Sequence, residues 1–129
     1  MTDNPLLLKA PNVVVAGGGA LGSAFANALA ADFPGGQVVM LAREVPRNLD
    51  PRVSISLLDA TDGARIASVA ASVSEQLGRV HLVVNTVGFL HGDGVQPEKR
   101  LRDLDPQAFH QSMTINALFP ALLAEGFSR

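Results

Sequence analysis

Asn12 to Ala31 reads NVVVAGGGALGSAFANALAA. Val13, Val14 and Val15 form a short β-branched run, the composition of a strand covered on both faces in a parallel sheet. Gly17, Gly18 and Gly19 come next, and Gly22 completes the spacing Gly17-x-Gly19-x-x-Gly22. After the turn, Leu21, Phe25 and Leu29 recur every four residues with Ala24 and Ala28 beside them. That spacing predicts one apolar helical face, lined with small residues and laid close against a sheet. Strand, glycine turn and helix therefore follow one another without a gap. In that context a glycine turn suits a pyrophosphate: it allows a tight turn and a close backbone approach, and the positive end of the helix faces the anion. Glycine turns also serve simply to reverse a chain. The flanking strand and helix are what give this one its binding context.

The 129 residues predict a single domain, long enough to bury its own core. Hydrophobic residues make up 47% and charged residues 17%, which excludes the disordered class. A net charge of −2 leaves no basic footprint for nucleic acid. No apolar run approaches the roughly 20 residues that span a bilayer, and acidic Asp3 stands where a secretory leader is basic. Neither nucleic acid nor membrane is expected as a partner, and the cytoplasm is the expected location. There is no cysteine, and His81, His91 and His110 lack metal-ligand spacing, so no metal site is expected. His81 falls on a strand pattern and reads as a structural histidine, while His91 and His110 read as surface residues.

The other elements follow in order. Residues 1–11 read as loop, with Leu6, Leu7 and Leu8 at most covering a sheet edge. The first helix, Ala20 to Phe33, stops at Pro34-Gly35-Gly36. Gln37 to Ala42 predicts a second buried strand, Arg43 to Arg52 a loop, and Val53 to Leu58 a third strand. Ile66, Val69, Ala70 and Val73 place a helix over Asp62 to Leu77, with Asp62 as N-cap and Gly78 as its end. Val80 to Val87 predicts a fourth strand. Gly88 to Asp105 is a long polar loop, and Asp105-Pro106 opens the last helix. The alternation predicts an α/β fold: a doubly wound, Rossmann-type parallel sheet of about four strands with flanking helices, incomplete as it stands. One link is unusual. Parallel crossovers normally contain a helix, and the segment between the second and third strands is too short for one of ordinary length.

Four stretches in register resemble the short-chain dehydrogenases/reductases. The turn Ala16-Gly17-Gly18-Gly19-Ala20-Leu21-Gly22 is similar to the family's cofactor turn, without its threonine. Asp59-Ala60 resembles the Asp-Val pair placed against adenine. Asn85-Thr86-Val87-Gly88 resembles the NNAG at the end of the fourth strand, and Asn116 falls where the family carries a helical Asn. The resemblance covers about Asn12 to Glu125. It implies cofactor contact by Gly17, Gly18, Gly19, Ala20, Leu21, Gly22, Asp59, Ala60, Asn85, Thr86, Val87 and Gly88. It also implies hydride transfer between a nicotinamide and the carbonyl or alcohol carbon of a small molecule, and homo-oligomers formed through long helices. The family's catalytic Ser and Tyr-x-x-x-Lys are missing. The sequence contains no tyrosine, so the expectation is a cofactor-binding N-terminal part that is inactive alone.

Arg43 ends the second strand, where an acid would bind the 2′-OH of NAD and an arginine would pair with the 2′-phosphate of NADP. Arg43, helped by Arg47, favours NADP. Glu44 keeps NAD open, because a small rotation of the loop would present it instead, and a solvated edge is the plain alternative. Asp59 also suits a cap for the helix from Thr61 or Asp62. Asn85, if buried, must find polar partners. The carbonyl of Asn116 has no helical donor, because residue 120 is Pro120, so an irregularity is expected there. The resemblance gives that carbonyl a water of the proton relay; a kink that merely fits the helix to its neighbour is the alternative. The resemblance places the long loop beside the substrate, while Lys99, Arg100 and Arg102 read as solvated charge. Two other classes remain open: a catalytically inactive nucleotide-binding module, and an S-adenosylmethionine-binding Rossmann domain, against which Arg43 speaks.

Overall fold

A computed structural model describes residues 9–89 and 98–128. Leu6, Leu7, Leu8, His91 and residues 92–97 of the long loop lie outside the described residues. The elements are β1 (Asn12–Ala16), α1 (Ala20–Asp32), β2 (Gln37–Ala42), β3 (Ser54–Leu57), α2 (Gly63–Leu77), β4 (Leu82–Asn85), α3 (Pro106–Met113) and α4 (Phe119–Phe127). The strands lie in the order β3-β2-β1-β4, every neighbouring pair parallel. Val14 stands opposite Val39 on one side and Val83 on the other.

Because successive strand side chains point to opposite faces, β1 and β2 supply two cores. Val14, Ala16, Val39 and Leu41 pack with Ile66 and Val73 of α2 and with Phe119 and Leu123 of α4. Val13, Val15, Val38 and Met40 pack with Ala26 and Ala30 of α1. The chain builds outward from β1 to β3, then returns to β4 on the far side of β1, which puts α1 and α2 on opposite faces. The reversal opens a crevice at the carboxyl ends of β1 and β4, the place where such sheets bind ligands.

Helix α2 matches its pattern. Ile66, Val69, Ala70, Val73 and Leu77 are buried, and the Asp62 side chain accepts from the Arg65 N–H at 3.2 Å. Gly78 ends the helix at φ +75°, a conformation that favours glycine. Helix α1 differs from expectation. Its buried stripe is Gly22, Ala26 and Ala30, while Leu21 is 61% and Phe25 41% exposed. The cause is a backbone contact: a Cβ on Gly22 would collide with the Gly17 carbonyl. A helix drawn in that close buries only its smallest residues near the contact, so Leu21 and Phe25 rotate outward, while Leu29, two turns on, still packs against that core.

Regular pairing in β4 is shorter than the predicted strand. At its start the Asn12 N–H donates to His81 Nδ1 at 2.9 Å, and the His81 N–H donates to the Asn12 carbonyl at 2.9 Å. His81 thus has the structural role read for it, and His110 is exposed, also as read. The link from β2 to β3, residues 43–53, contains turns and no helix. Asn27 of α1 holds it: its Oδ1 accepts from the Asp50 N–H at 2.8 Å and its Nδ2 donates to the Asn48 carbonyl at 3.0 Å. The Arg52 guanidinium donates to both Asp50 carboxylate oxygens, at 3.1 and 2.9 Å, and with the Arg52 N–H holds the Asp50 pKa down at about 2.

The last helical stretch begins as predicted, with Asp105 accepting from the Gln107 N–H at 3.3 Å and Pro106 in first position. A π-turn, Thr114–Leu118, separates α3 from α4, and the Phe119 N–H donates to the Thr114 carbonyl five residues back. Pro120 offers no N–H to the Asn116 carbonyl, so the expected irregularity takes the form of a widened turn. Lys99, Arg100 and Arg102 are exposed, and Arg100 pairs with Asp103 at 3.7 Å. Among the described residues no helix is long and apolar enough to cross a membrane.

The orientation of α1 has a direct test in urea unfolding. Gly22→Ala is expected to lose about 1–3 kcal/mol by overpacking against backbone, and Leu21→Ala to stay within about 0.5 kcal/mol of the parent. A Leu21→Ala loss of core size, about 2–5 kcal/mol, would mean that Leu21 faces the sheet.

Candidate functional site

Three strand ends meet at the crevice. The Gly17 N–H donates to the Leu41 carbonyl at 2.8 Å, tying the glycine turn to β2. From beyond β4, Thr86 donates twice to the Ala16 carbonyl, from its N–H at 2.9 Å and its hydroxyl at 2.8 Å. Gly17 has φ +115°, and a Cβ there would run into the Thr86 hydroxyl. Gly17, Gly22 and Thr86 therefore form a knot with no room for added atoms. The role of Thr86 as its clamp was not legible in the sequence. The only signal for it is a threonine where the resembling motif has asparagine.

Gly19 is the opposite case. A Cβ placed on it would meet nothing within 4 Å. It is the N-cap of α1, no side chain caps the helix, and its carbonyl accepts from the Ser23 N–H at 2.9 Å. Ala20 and Leu21, the first residues of α1, are exposed. This helix end, free of side-chain caps and approached through glycine, suits a phosphate group and leaves space for one.

Beside it lies a cavity of about 490 Å³ lined by Gly18, Gly19, Ala42, Arg43, Pro46 and Arg47, with Glu44 and Val45 completing the wall. A Cβ on Gly18 would come within 2.9 Å of Ala42 Cβ and 3.4 Å of Pro46 Cγ, so the turn and the loop after β2 are in close contact. Arg43, Glu44 and Arg47 are all exposed. One cavity thus joins the open phosphate end to two guanidinium groups and one carboxylate.

Asp59 follows β3. Its Oδ1 accepts from the Thr61 N–H at 2.8 Å and the Thr61 hydroxyl at 2.7 Å, so it closes the turn before the helix and does not cap the helix itself. These two bonds lower its pKa below the usual carboxylate range, and the positive charge of Arg43 lowers it further. Asp62, not Asp59, caps α2. Ala60 is half-buried against the core beneath.

Asn85 is exposed, not buried among apolar neighbours, and its Oδ1 accepts from the Val87 N–H at 3.0 Å. Val87 packs on the core. Gly88 passes under Asn116, whose Oδ1 would lie 3.7 Å from a Cβ there. The Asn116 side chain takes both backbone groups of Phe89: Oδ1 accepts from the N–H at 2.8 Å and Nδ2 donates to the carbonyl at 2.6 Å. Nδ2 also reaches the Ser112 hydroxyl at 3.2 Å. The structure thus brings the glycine turn, Arg43, Asp59, Asn85–Gly88 and Asn116 to the carboxyl edge of one sheet. Among the described residues, no three His, Cys, Asp or Glu side chains gather as metal ligands would.

The family model described as enoyl-(acyl carrier protein) reductase matches residues 20–129. The chain belongs to the short-chain dehydrogenase/reductase family. Solved structures agree. An NADPH-bound carbonyl reductase from chicken fatty liver is 25% identical, with a TM-score of 0.76 over 94% of this chain and 48% of that one. A short-chain dehydrogenase from Streptomyces avermitilis is 27% identical, with a TM-score of 0.73 over 92% of this chain and 43% of that one. The ligand-free aldohexose dehydrogenase of Thermoplasma acidophilum, 15% identical, shares the fold with a TM-score of 0.75 over 92% of this chain and 43% of that one. The chain spans about half the length of these structures. No curated protein matches the sequence.

The grip of Asn116 on Phe89 is open to measurement. Asn116→Ala is expected to cost about 1–2 kcal/mol and to speed hydrogen exchange at the Phe89 amide, with the β1 and β2 amides still protected. Unchanged exchange at Phe89 would show that the side chain holds nothing in solution.

Proposed function

We propose that the chain holds the dinucleotide of a short-chain-dehydrogenase-type oxidoreductase, prefers NADP over NAD, and serves hydride transfer to or from a carbonyl or alcohol carbon of a small molecule. The observation that carries this reading is the cavity in which Arg43 and Arg47 face the same space as Gly18 and Gly19. In the proposed pose the pyrophosphate lies on the turn Gly17–Gly22 at the start of α1. The 2′-phosphate meets the guanidinium of Arg43, and the turn at Asp59–Ala60 walls the adenine. The stretch Asn85–Gly88, pinned by Asn116 through Phe89, borders the ribose on the nicotinamide side. The NADPH bound by the chicken carbonyl reductase supports a nicotinamide dinucleotide as the ligand class. A bound dinucleotide would supply the hydride, and the residues here would hold and orient it.

These 129 residues contain no tyrosine. Nothing among them takes the proton-donor place of the family's Tyr, and the amide of Asn116 does not titrate in the accessible range. The stretch alone is therefore assigned binding without turnover, which also keeps the reading of an inactive nucleotide-binding module. Self-association through the last helical stretch is part of the proposal; Phe109 and Met113, one helical turn apart on α3, are 53% and 48% exposed.

Calorimetric titration with NADPH, NADH and S-adenosylmethionine tests the reading. Gly19→Val is expected to abolish dinucleotide binding with the fold intact, because its side chain enters the open phosphate space, where a Cβ meets nothing within 4 Å. Arg43→Ala is expected to weaken NADPH by roughly 1.5–3 kcal/mol and NADH hardly at all. Full affinity in Gly19→Val would remove the turn from the site. Equal losses in Arg43→Ala would remove the 2′-phosphate from Arg43, and tight S-adenosylmethionine would replace the cofactor class.

A further inference from the structure

The loop that carries Arg43 and Arg47 leaves β2 and reaches β3 through turns alone. A parallel crossover normally contains a helix, whose internal hydrogen bonds fix its own shape. This one has no such ladder, so its position must be set from outside. Two contacts do so. Pro46 leans on the glycine turn, as the crowding at Gly18 shows. Immediately after Arg47, the Asn27 side chain takes the Asp50 N–H at 2.8 Å and offers its own N–H to the Asn48 carbonyl at 3.0 Å. The Asp50–Arg52 pair stiffens the far end, again with 2.9 Å between Oδ2 and the guanidinium. Asn27 is half-buried and lies on α1 one turn beyond Ser23, facing the loop and not the sheet.

Arg43 and Glu44 are adjacent in this loop and carry opposite charge in the same cavity. Which of them meets the adenosine ribose depends on the rotation of the loop, and the Asn27 tether opposes that rotation together with the packing of Leu49. We infer that Asn27 is a positioning residue for cofactor choice: by fixing Asn48–Asp50 it keeps the guanidinium of Arg43, and not the carboxylate of Glu44, against the 2′ position. The inference rests on the proposed NADP reading of Arg43. It adds a residue on a different element that does not touch the cofactor.

The experiment titrates the full chain and its Asn27→Ala, Asn27→Asp and Arg43→Ala variants with NADPH and NADH, and follows hydrogen exchange at the Asp50 amide. Asn27→Ala is expected to narrow the NADPH-over-NADH preference about tenfold, the size of one ordinary hydrogen bond. Exchange at Asp50 should quicken while the amides of Val14 and Val39 stay protected. Asn27→Asp keeps the acceptor for the Asp50 N–H and is expected to restore slow exchange there and part of the preference. A merely structural Asn27 would lower both affinities together and leave the ratio unchanged, which overturns the inference. If Arg43→Ala narrows the ratio and Asn27→Ala does not, the tether fails and the NADP reading stands. If neither narrows it, the reading of Arg43 falls and the inference falls with it.

Discussion

The structure depends on one contact without side chains, the approach of Gly22 in the first turn of α1 to the backbone of Gly17 at the end of β1. Thr86 closes the contact from the β4 side with two bonds to a single carbonyl, that of Ala16. Strand, helix and crossing strand are thus locked at the point where a ligand would enter. The contact also sets the character of each core. On the α1 face the helix comes so close that its fully buried contribution is alanine, with Leu29 at the margin, and Val13, Val15, Val38 and Met40 of the strands fill the layer. On the opposite face no such pinch exists, and Ile66, Phe119 and Leu123 make a thicker one. Packing and site divide the glycines between them: close packing needs the Cβ absent at Gly17 and Gly22, and a pyrophosphate needs it absent at Gly19.

Much of this was legible in the residues. Buried strands declared themselves by β-branched runs, α2 by its spacing, and both of its ends by Asp62 and Gly78. The missing helix between β2 and β3 could be read from length alone. The inward face of α1 could not, because periodicity ranks faces by hydrophobicity, while this face was chosen by closeness of approach. The same limit applies to the site. Pro120 announced an irregularity at Asn116, since its missing N–H is a local fact. The partner of the Asn116 side chain, Phe89, is 27 residues away and belongs to tertiary structure. Asn27 and Thr86 escaped for the same reason, each being an ordinary polar residue until the loop or strand end that it holds is brought beside it.

The loop after β2 shows how little secondary structure a binding wall requires. Two hydrogen bonds from one side chain, one bidentate ion pair, a proline resting on a glycine turn and the core contact of Leu49 fix a segment that has no helix of its own. Apart from Leu49 these restraints are polar or surface contacts, so the wall is held more loosely than the knot beside it. That division is familiar in binding sites, where a rigid scaffold carries a more variable loop.

The π-turn at Thr114–Leu118 has a consequence for chain length. Each residue of an α-helix advances the face by about 100°, so one extra residue in a turn rotates everything after it by that amount relative to what came before. Here the rotation lets Asn116 look toward Phe89 while Phe119 and Leu123, one and two turns on, look into the α2 layer. Remove Ala117 or Leu118 and the turn is one residue shorter, so the two faces fall out of phase and one of the contacts must be given up. Ala117 and Leu118 are both exposed. What the fold demands at this point is a number of residues, a requirement that substitution scanning would not detect and that a single-residue deletion would.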